Sequence, residues 1–433
     1  MRYALVTFGC RVNLADSLRI EEDLRARGGV ESSTRDADLV VVNTCSVTAT
    51  ADQGARQTIR RIARENPNAR IVATGCYATR CAGDFAALPV TVVRNSEKLN
   101  LVGMLGIAGN TGGEGPCGAA IEPGVAGRTA FTIRAQTGCE ETCAYCIIPT
   151  TRGASRSAPI ASLVSDVERV AGAGFKEVVV TGVHLGSFGR DLTPAVSLLD
   201  LLRALDAARG DVTFRISSLE PMDCTPAIVD FVSRSGRFMP HFHLPLQHAS
   251  DRMLVAMRRP YSLADYRRLV DGVVARLPHA SIGSDLIAGF PGETDDDFAA
   301  NLAYLPSSPL THLHVFPYSD RPGTAATAMR DKVHGSVIRD RATQLRDIGV
   351  GLSRRFRASH VGTVRPGLTL EDGTLVVTDN YLKVRVAPGV ARNTRVRVRL
   401  GPAGPIHPPS PRSGGPAAAS AEAGMSGLLV AIE

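Results

Sequence analysis

The chain has 433 residues, 44 % of them hydrophobic and 21 % charged, which excludes a disordered chain and allows roughly two to four domains with cores of their own. No apolar run reaches membrane-spanning length, and Met1 to Val6 enters a strand-like run with no signal-peptide pattern, so the expectation is a soluble, cytoplasmic protein with no membrane partner. Nine cysteines in such a chain point to metal or redox chemistry rather than to disulfides.

Residues 1–107 alternate strand and helix. Strands are predicted at Tyr3–Phe8, Leu39–Val42, Arg70–Thr74 and Val90–Val93, with helices at Leu14–Arg27, ending at Gly28-Gly29, and at Ala51–Asn66, stopping at Pro67. Strands this apolar belong to a buried parallel sheet. Cys10 follows the first strand, Cys45 the second and Cys76 the third. Carboxyl ends of parallel strands share one edge, where open sheets bind ligands. Three cysteines far apart in sequence are therefore expected to converge as a three-thiolate cluster site; the plainer alternative is three separate buried thiols. Cys81, Cys117 and Cys224 lack that placement and read as structural. Residues 108–128 are glycine-rich and read as a linker.

The stretch Gly138-Cys139-Glu140-Glu141-Thr142-Cys143-Ala144-Tyr145-Cys146 carries three cysteines spaced Cys-x-x-x-Cys-x-x-Cys. A four-iron cluster normally takes four protein thiolates, so three leave one iron open. An open position marks a catalytic metal site. A zinc knuckle would want a fourth Cys or His close by, and the nearest histidine is His184.

From 129 to 358, strands are predicted at Ala130–Ile133, Glu177–Thr181, Val212–Ile216, His241–Leu244, Ser281–Ile287 and His312–Phe316, with helices between, such as Ile160–Ala171 and Leu192–Ala207. Six βα units suggest a partial barrel open on one side, with its active site at the strand carboxyl ends. Arg215 and Glu220 lie there and suit the carboxylate and amine of an amino-acid moiety; the alternative for each is an ordinary ion pair. His184 and His248 read as satisfied loop histidines.

An arginine-rich helix, Ser336–Ala358, leads to turn signals at Gly367, Asp372-Gly373 and Asp379-Asn380, between short β-branched runs. Residues 359–433 read as a small β-barrel of oligonucleotide-binding type, interrupted by a disordered Pro/Ala segment at 401–425 and resumed by a strand at Gly427–Glu433. Between Arg330 and Leu400 stand 15 Lys/Arg against 6 Asp/Glu, a basic excess that favours a polyanion such as nucleic acid.

This order of parts resembles the radical-SAM (S-adenosylmethionine) methylthiotransferases, and the resemblance covers nearly the whole chain. It implies an α/β N-terminal methylthiotransferase domain at 1–107, a linker at 108–128, a radical-SAM core at 129–358 and an RNA-binding TRAM-like barrel at 359–433. Gly9-Cys10-Arg11-Val12-Asn13, Cys146-Ile147-Ile148-Pro149 and His314-Val315-Phe316-Pro317-Tyr318-Ser319 resemble the branch that acts on threonylcarbamoyladenosine in tRNA. The resemblance implies a methylthio group placed on C2 of that adenine, next to the anticodon. The sister branches act on isopentenyladenosine or on a ribosomal-protein aspartate. Two 4Fe-4S clusters are implied, one on Cys139, Cys143 and Cys146, and one on Cys10, Cys45 and Cys76 that delivers the sulfur. S-adenosylmethionine is implied as cofactor, two per turnover, with Tyr145, Arg215 and Glu220 around it. Partners implied are the tRNA anticodon loop, a sulfur source and an electron donor such as flavodoxin or ferredoxin. Rival readings are a radical-SAM enzyme acting on a protein side chain and a non-catalytic RNA-binding iron–sulfur protein.

Overall fold

The computed structural model describes residues 1–107, 122–123, 129–403 and 425–432. Most of the 108–128 stretch, Cys117 and residues 404–424 lie outside the described residues.

The first unit is a five-stranded parallel sheet of β1 (Arg2–Thr7), β2 (Val30–Glu31), β3 (Leu39–Thr44), β4 (Arg70–Gly75) and β5 (Val90–Val92), in the order β2-β1-β3-β4-β5. β3 sits at its centre and is buried along its whole length. Successive side chains of a strand point to opposite faces. Accordingly Val40 and Val42 pack against Ile59 and Ile62 of the helix Ala49–Glu65, while Leu39 and Val41 pack against Ile20 and Leu24 of the helix Arg11–Ala26. The latter helix begins before Leu14, because Cys10 is its extended N-cap residue and Gly28, at φ +75, stops it.

The second unit holds β6 (Phe131–Thr137), β7 (Arg156–Ser157), β8 (Glu177–Gly182), β9 (Thr213–Ile216), β10 (His241–His243), β11 (Ser281–Ala288) and β12 (His312–Pro317). They form two sheets, β7-β6-β8-β9 and β10-β11-β12, bridged at Phe214–Phe238 and Ser218–His243. All pair in parallel except the short edge strand β7. The result is the expected open arc of six βα units. The helix expected at Leu192–Ala207 starts only at Leu198. Pro194 cannot continue a helix interior, and Ser197 with Asp200 forms a reciprocal capping box that fixes the start.

The third unit is a closed barrel of β13 (Val364–Leu370), β14 (Leu375–Thr378), β15 (Lys383–Arg385), β16 (Arg395–Ala403) and β17 (Met425–Ile432), in the order β13-β14-β15-β17-β16. Both ends of the segment expected to be disordered, 401–403 and 425, belong to strands. Val376, Val384, Val396, Val398 and Met425 fill its interior. The 26-residue helix Gly335–His360 joins it to the arc. No helix among the described residues is long and apolar enough to cross a membrane.

Candidate active site

β1, β3 and β4 are neighbours paired in parallel, with Thr7 opposite Asn43 and Thr44 opposite Gly75. Cys10, Cys45 and Cys76 therefore leave the sheet side by side. Gly9, at φ +92, lies so close to the Cys45 sulfur that a Cβ there would overlap it. Asn13 ties the strand ends together, its Nδ2 donating to the Phe8 carbonyl at 2.9 Å and the Thr44 carbonyl at 2.8 Å. Burial and the neighbouring Cys10 sulfur push the Cys45 thiol up to about 12, with Cys76 adding to the effect. Burial also raises Cys76, but Arg152 and Lys98 beside it outweigh that and hold it below its ordinary value.

Arg152 comes from the second unit, six residues after Cys146. The short helix Ile148–Arg152 leaves the Cys-x-x-x-Cys-x-x-Cys loop and carries this side chain into the first unit. Its Nη2 donates to Asn13 Oδ1 at 2.5 Å and to Asp16 Oδ2 at 3.2 Å. Asp16 is fully buried and also pairs with Lys98 Nζ at 2.9 Å and with Arg134. Thr151 of the same helix accepts through its carbonyl from Asn95 Nδ2 at 2.9 Å, and that amide lies 3.7 Å from the Cys76 sulfur. One helical turn thus links the two cysteine sets.

The second set sits at the carboxyl end of β6. Gly138, at φ +76, turns the chain against the Ala154 carbonyl, where a side chain has no room. Gln136 holds the turn, its Nε2 donating to the Gly138 carbonyl at 2.8 Å and its Oε1 accepting from the His184 amide at 2.9 Å. Ala144 accepts a backbone bond from Ala326 at 2.7 Å and donates to Met257 at 3.0 Å, fixing the middle of the loop. Arg259 Nη1 donates to the Cys143 sulfur at 2.8 Å, and its Nη2 pairs with Glu220. His184 is 4 % exposed; its Nε2 lies 2.7 Å from Asp223 Oδ2 and its Nδ1 3.8 Å from Glu141 Oε1, on the side of Cys139. Burial lowers the imidazole, but Asp223 and Cys139 prevail and hold it up to about 10. Burial pushes Cys146 up to about 12 and raises Cys143.

Both sets fit thiolate-ligated metal. Thiols that burial keeps protonated, as at Cys45 and Cys146, are deprotonated outright by a coordinating metal. The cations at hand, Arg152 and Lys98 at one set and Arg259 and His184 at the other, suit the anionic product.

The residues expected around an amino-acid ligand divide. Glu220 lies beside the second set, its carboxylate paired with Arg259 and near His184. Tyr145 packs with Phe290, Met253 and Met257 behind the loop. Arg215 is not at the site. Its Nε donates to Glu177 at 2.8 Å, its Nη1 to the Asp379 carbonyl at 2.7 Å and its Nη2 to the Thr378 carbonyl at 2.8 Å. It is an interior strut that docks the third unit under the arc, buried and turned to the barrel's carbonyls. Sequence reasoning missed Arg259, Asp223 and Arg152, and took His184 for a satisfied loop histidine. His248 does read as one, bonded within the core to Glu293 and Asn301.

Comparison with known proteins gives a consistent result. Residues 2–93 match the profile of an uncharacterized protein family, UPF0004, and residues 133–305 that of the radical SAM superfamily. Threonylcarbamoyladenosine tRNA methylthiotransferase MtaB of Aquifex aeolicus is 32 % identical over 398 residues, covering 89 % of this chain and 96 % of that protein. The tRNA-2-methylthio-N(6)-dimethylallyladenosine synthase of Chloroflexus aurantiacus is 34 % identical over 337 residues, covering 75 % of this chain and 71 % of that one. Among solved structures, the radical S-adenosylmethionine methyltransferase TsrM of Kitasatospora setae shares the fold, with a TM-score of 0.54 at 16 % identity over 75 % of both chains.

Proposed function

This chain belongs to the threonylcarbamoyladenosine tRNA methylthiotransferases, and from that premise we propose that it places a methylthio group on C2 of N6-threonylcarbamoyladenosine beside the tRNA anticodon. The threonylcarbamoyl reading is preferred to the dimethylallyl one because the stronger of the near-full-length matches are MtaB proteins. As a radical SAM enzyme it uses S-adenosylmethionine and a 4Fe-4S cluster. We assign that cluster to Cys139, Cys143 and Cys146, and a second one to Cys10, Cys45 and Cys76. When bound, the first supplies one-electron cleavage of the S-adenosylmethionine sulfonium and the second supplies the sulfur.

The observation that supports two coupled sites is the helix Ile148–Arg152, which begins two residues after Cys146 and ends with Arg152 beside Cys76 and Cys10. The protein's own work is then positioning and shielding. Arg259 holds Cys143 and Glu220 in one hydrogen-bonded row. Glu220, once released from Arg259, is placed to accept from an ammonium group, as charge-assisted pairs do. His184, fixed by Asp223, stands beside Cys139 and keeps that edge cationic. Tyr145, Phe290 and Met257 exclude water behind the loop.

Residues 1–107 are assigned the sulfur-delivering domain, 129–358 the radical core, and 359–433 the RNA-binding barrel, with 108–128 between the first two. A sulfur source and a low-potential electron donor, such as flavodoxin or ferredoxin, complete the cycle. Nucleoside mass spectrometry of tRNA from cells lacking this chain tests the assignment. Loss of the methylthiolated threonylcarbamoyladenosine supports it; loss of the methylthiolated dimethylallyl nucleoside alone refutes it.

A further inference from the structure

The inner face of β10, β11 and β12 carries a ladder of imidazoles that the chemistry above does not use. His243 Nε2 lies 2.9 Å and His314 Nδ1 3.2 Å from the same oxygen, Oδ1 of Asp285. The His243 and His314 rings stack at 5.1 Å, and His312 lies 5.5 Å from His314 and 6.2 Å from His243. His312 fills the place a side chain at Gly283 would take. His241 continues the ladder and stacks at 4.3 Å on Tyr381 of the third unit. The Tyr381 hydroxyl accepts from Arg11 Nη2 at 3.0 Å, and Arg11 is the residue after Cys10. The row therefore runs from the first cysteine set into the arc.

The other end of the row reaches the second set's surroundings. Asp285 precedes Ile287 by two residues on β11, so both face the same way. Ile287 packs in the cluster that backs the cysteine loop. The His314 side chain is 56 % exposed and Asp285 24 %, so the upper rungs are open, while His312 is partly buried and His241 buried.

We propose that His243, Asp285 and His314 form the pocket for the adenosine's N6 substituent, and that they select one ending in a carboxylate and carrying N–H and hydroxyl donors. This rests on the threonylcarbamoyl reading and adds to it which residues see that group. His314 supplies a donor for the carboxylate, and Asp285 Oδ2 accepts from the ureido N–H or the hydroxyl. A dimethylallyl substituent has no polar atom to replace these bonds, so it would displace water from His314 and Asp285 without a hydrogen bond in return, and a site built to bond a substrate's polar group rejects the analogue lacking it. The two histidines and the aspartate also have the composition of a metal site. However, metal-bound imidazoles are held by a partner on the second ring nitrogen. Among the described residues neither His243 Nδ1 nor His314 Nε2 has a hydrogen-bond partner.

The test measures binding of anticodon stem-loop RNAs carrying threonylcarbamoyladenosine, dimethylallyladenosine or plain adenosine to the cluster-reconstituted protein and to His314→Phe, His314→Gln and Asp285→Asn. Iron content and thermal midpoint are read for each to confirm folding. The unmodified protein should prefer the threonylcarbamoyl loop over plain adenosine by about tenfold, the range of one charged hydrogen bond. His314→Phe should erase that preference and narrow the gap to the dimethylallyl loop, while His314→Gln, which keeps a donor, should retain part of it. A folded His314→Phe and Asp285→Asn with full preference would overturn the pocket, even where the unmodified protein methylthiolates threonylcarbamoyladenosine. Stoichiometric Zn2+ binding that is lost in His314→Phe, with the preference unchanged, would likewise overturn it and assign the cluster to a metal. No methylthiolation of threonylcarbamoyl-tRNA by the unmodified protein would instead refute the functional reading beneath it.

Discussion

Asp16→Asn is the sharpest test of how the first unit is held against the arc. Asp16 is 1 % exposed and pairs with Lys98 at 2.9 Å, Arg152 at 3.2 Å and Arg134. Lys98 and Arg152 are nearly as buried. Asparagine keeps the shape but removes the carboxylate that sits between three cations. Breaking a buried pair on one side costs about 3–5 kcal/mol, mostly the desolvation of the charge left behind. With a urea slope of about 2 kcal/mol per M, the midpoint should fall by about 2 M.

The loss should also depend on pH. Burial holds Lys98 below the ordinary lysine range, opposed by Asp16. Without Asp16 the folded-state value drops further below the unfolded one. Such a group adds stability as pH rises from its folded towards its unfolded value, because the unfolded chain binds more protons. The deficit should therefore be largest near pH 6 and smaller near pH 9. Urea titration of the reconstituted protein at the two pH values decides it. A midpoint shift under about 0.5 M, or a deficit that grows with pH, would refute the reasoning.

Anaerobic reconstitution should yield about eight irons per chain, and replacing Cys139, Cys143 and Cys146 by Ala should leave about four; four or fewer in the unmodified protein would remove one of the two clusters. Replacing Cys10, Cys45 and Cys76 by Ala should leave 5′-deoxyadenosine formation and abolish the methylthio product, and retained thiolation would contradict their assignment. Arg397 and Arg399 alternate with the buried Val398 and Leu400 and are exposed. Reversing both to Glu should lower the slope of log affinity for tRNA against log salt by about 2 with iron content unchanged. An unchanged slope would put the RNA surface elsewhere. Arg395 is left out because it pairs with Asp211 of the second unit.

The sequence carried the sheets and both cysteine sets because those signals are local or positional. Val40, Val41 and Val42 announce a buried parallel strand, and cysteines at three strand ends need only the parallel topology to converge. What stayed hidden depends on long reach. Arg152 meets Asn13 and Asp16 across more than 130 residues, and Arg259 meets Cys143 across 116. No periodicity records such pairs. Arg215 misled because a strand-end arginine looks the same whether it faces a ligand or another domain's carbonyls. Its two carbonyl partners at Thr378 and Asp379 also mean that deleting the barrel would strip a buried guanidinium of its partners. Point changes on β16 therefore probe RNA binding more cleanly than truncation.

The central claim is that this chain methylthiolates threonylcarbamoyladenosine in tRNA. The direct measurement incubates the reconstituted protein, S-adenosylmethionine, a reductant and a sulfide source with tRNA bearing that nucleoside, then digests the RNA and reads nucleosides by mass spectrometry. The account predicts 2-methylthio-N6-threonylcarbamoyladenosine, and none when Cys10, Cys45 and Cys76 are replaced. Cleavage of S-adenosylmethionine with no such nucleoside, while tRNA bearing dimethylallyladenosine is methylthiolated, would contradict it.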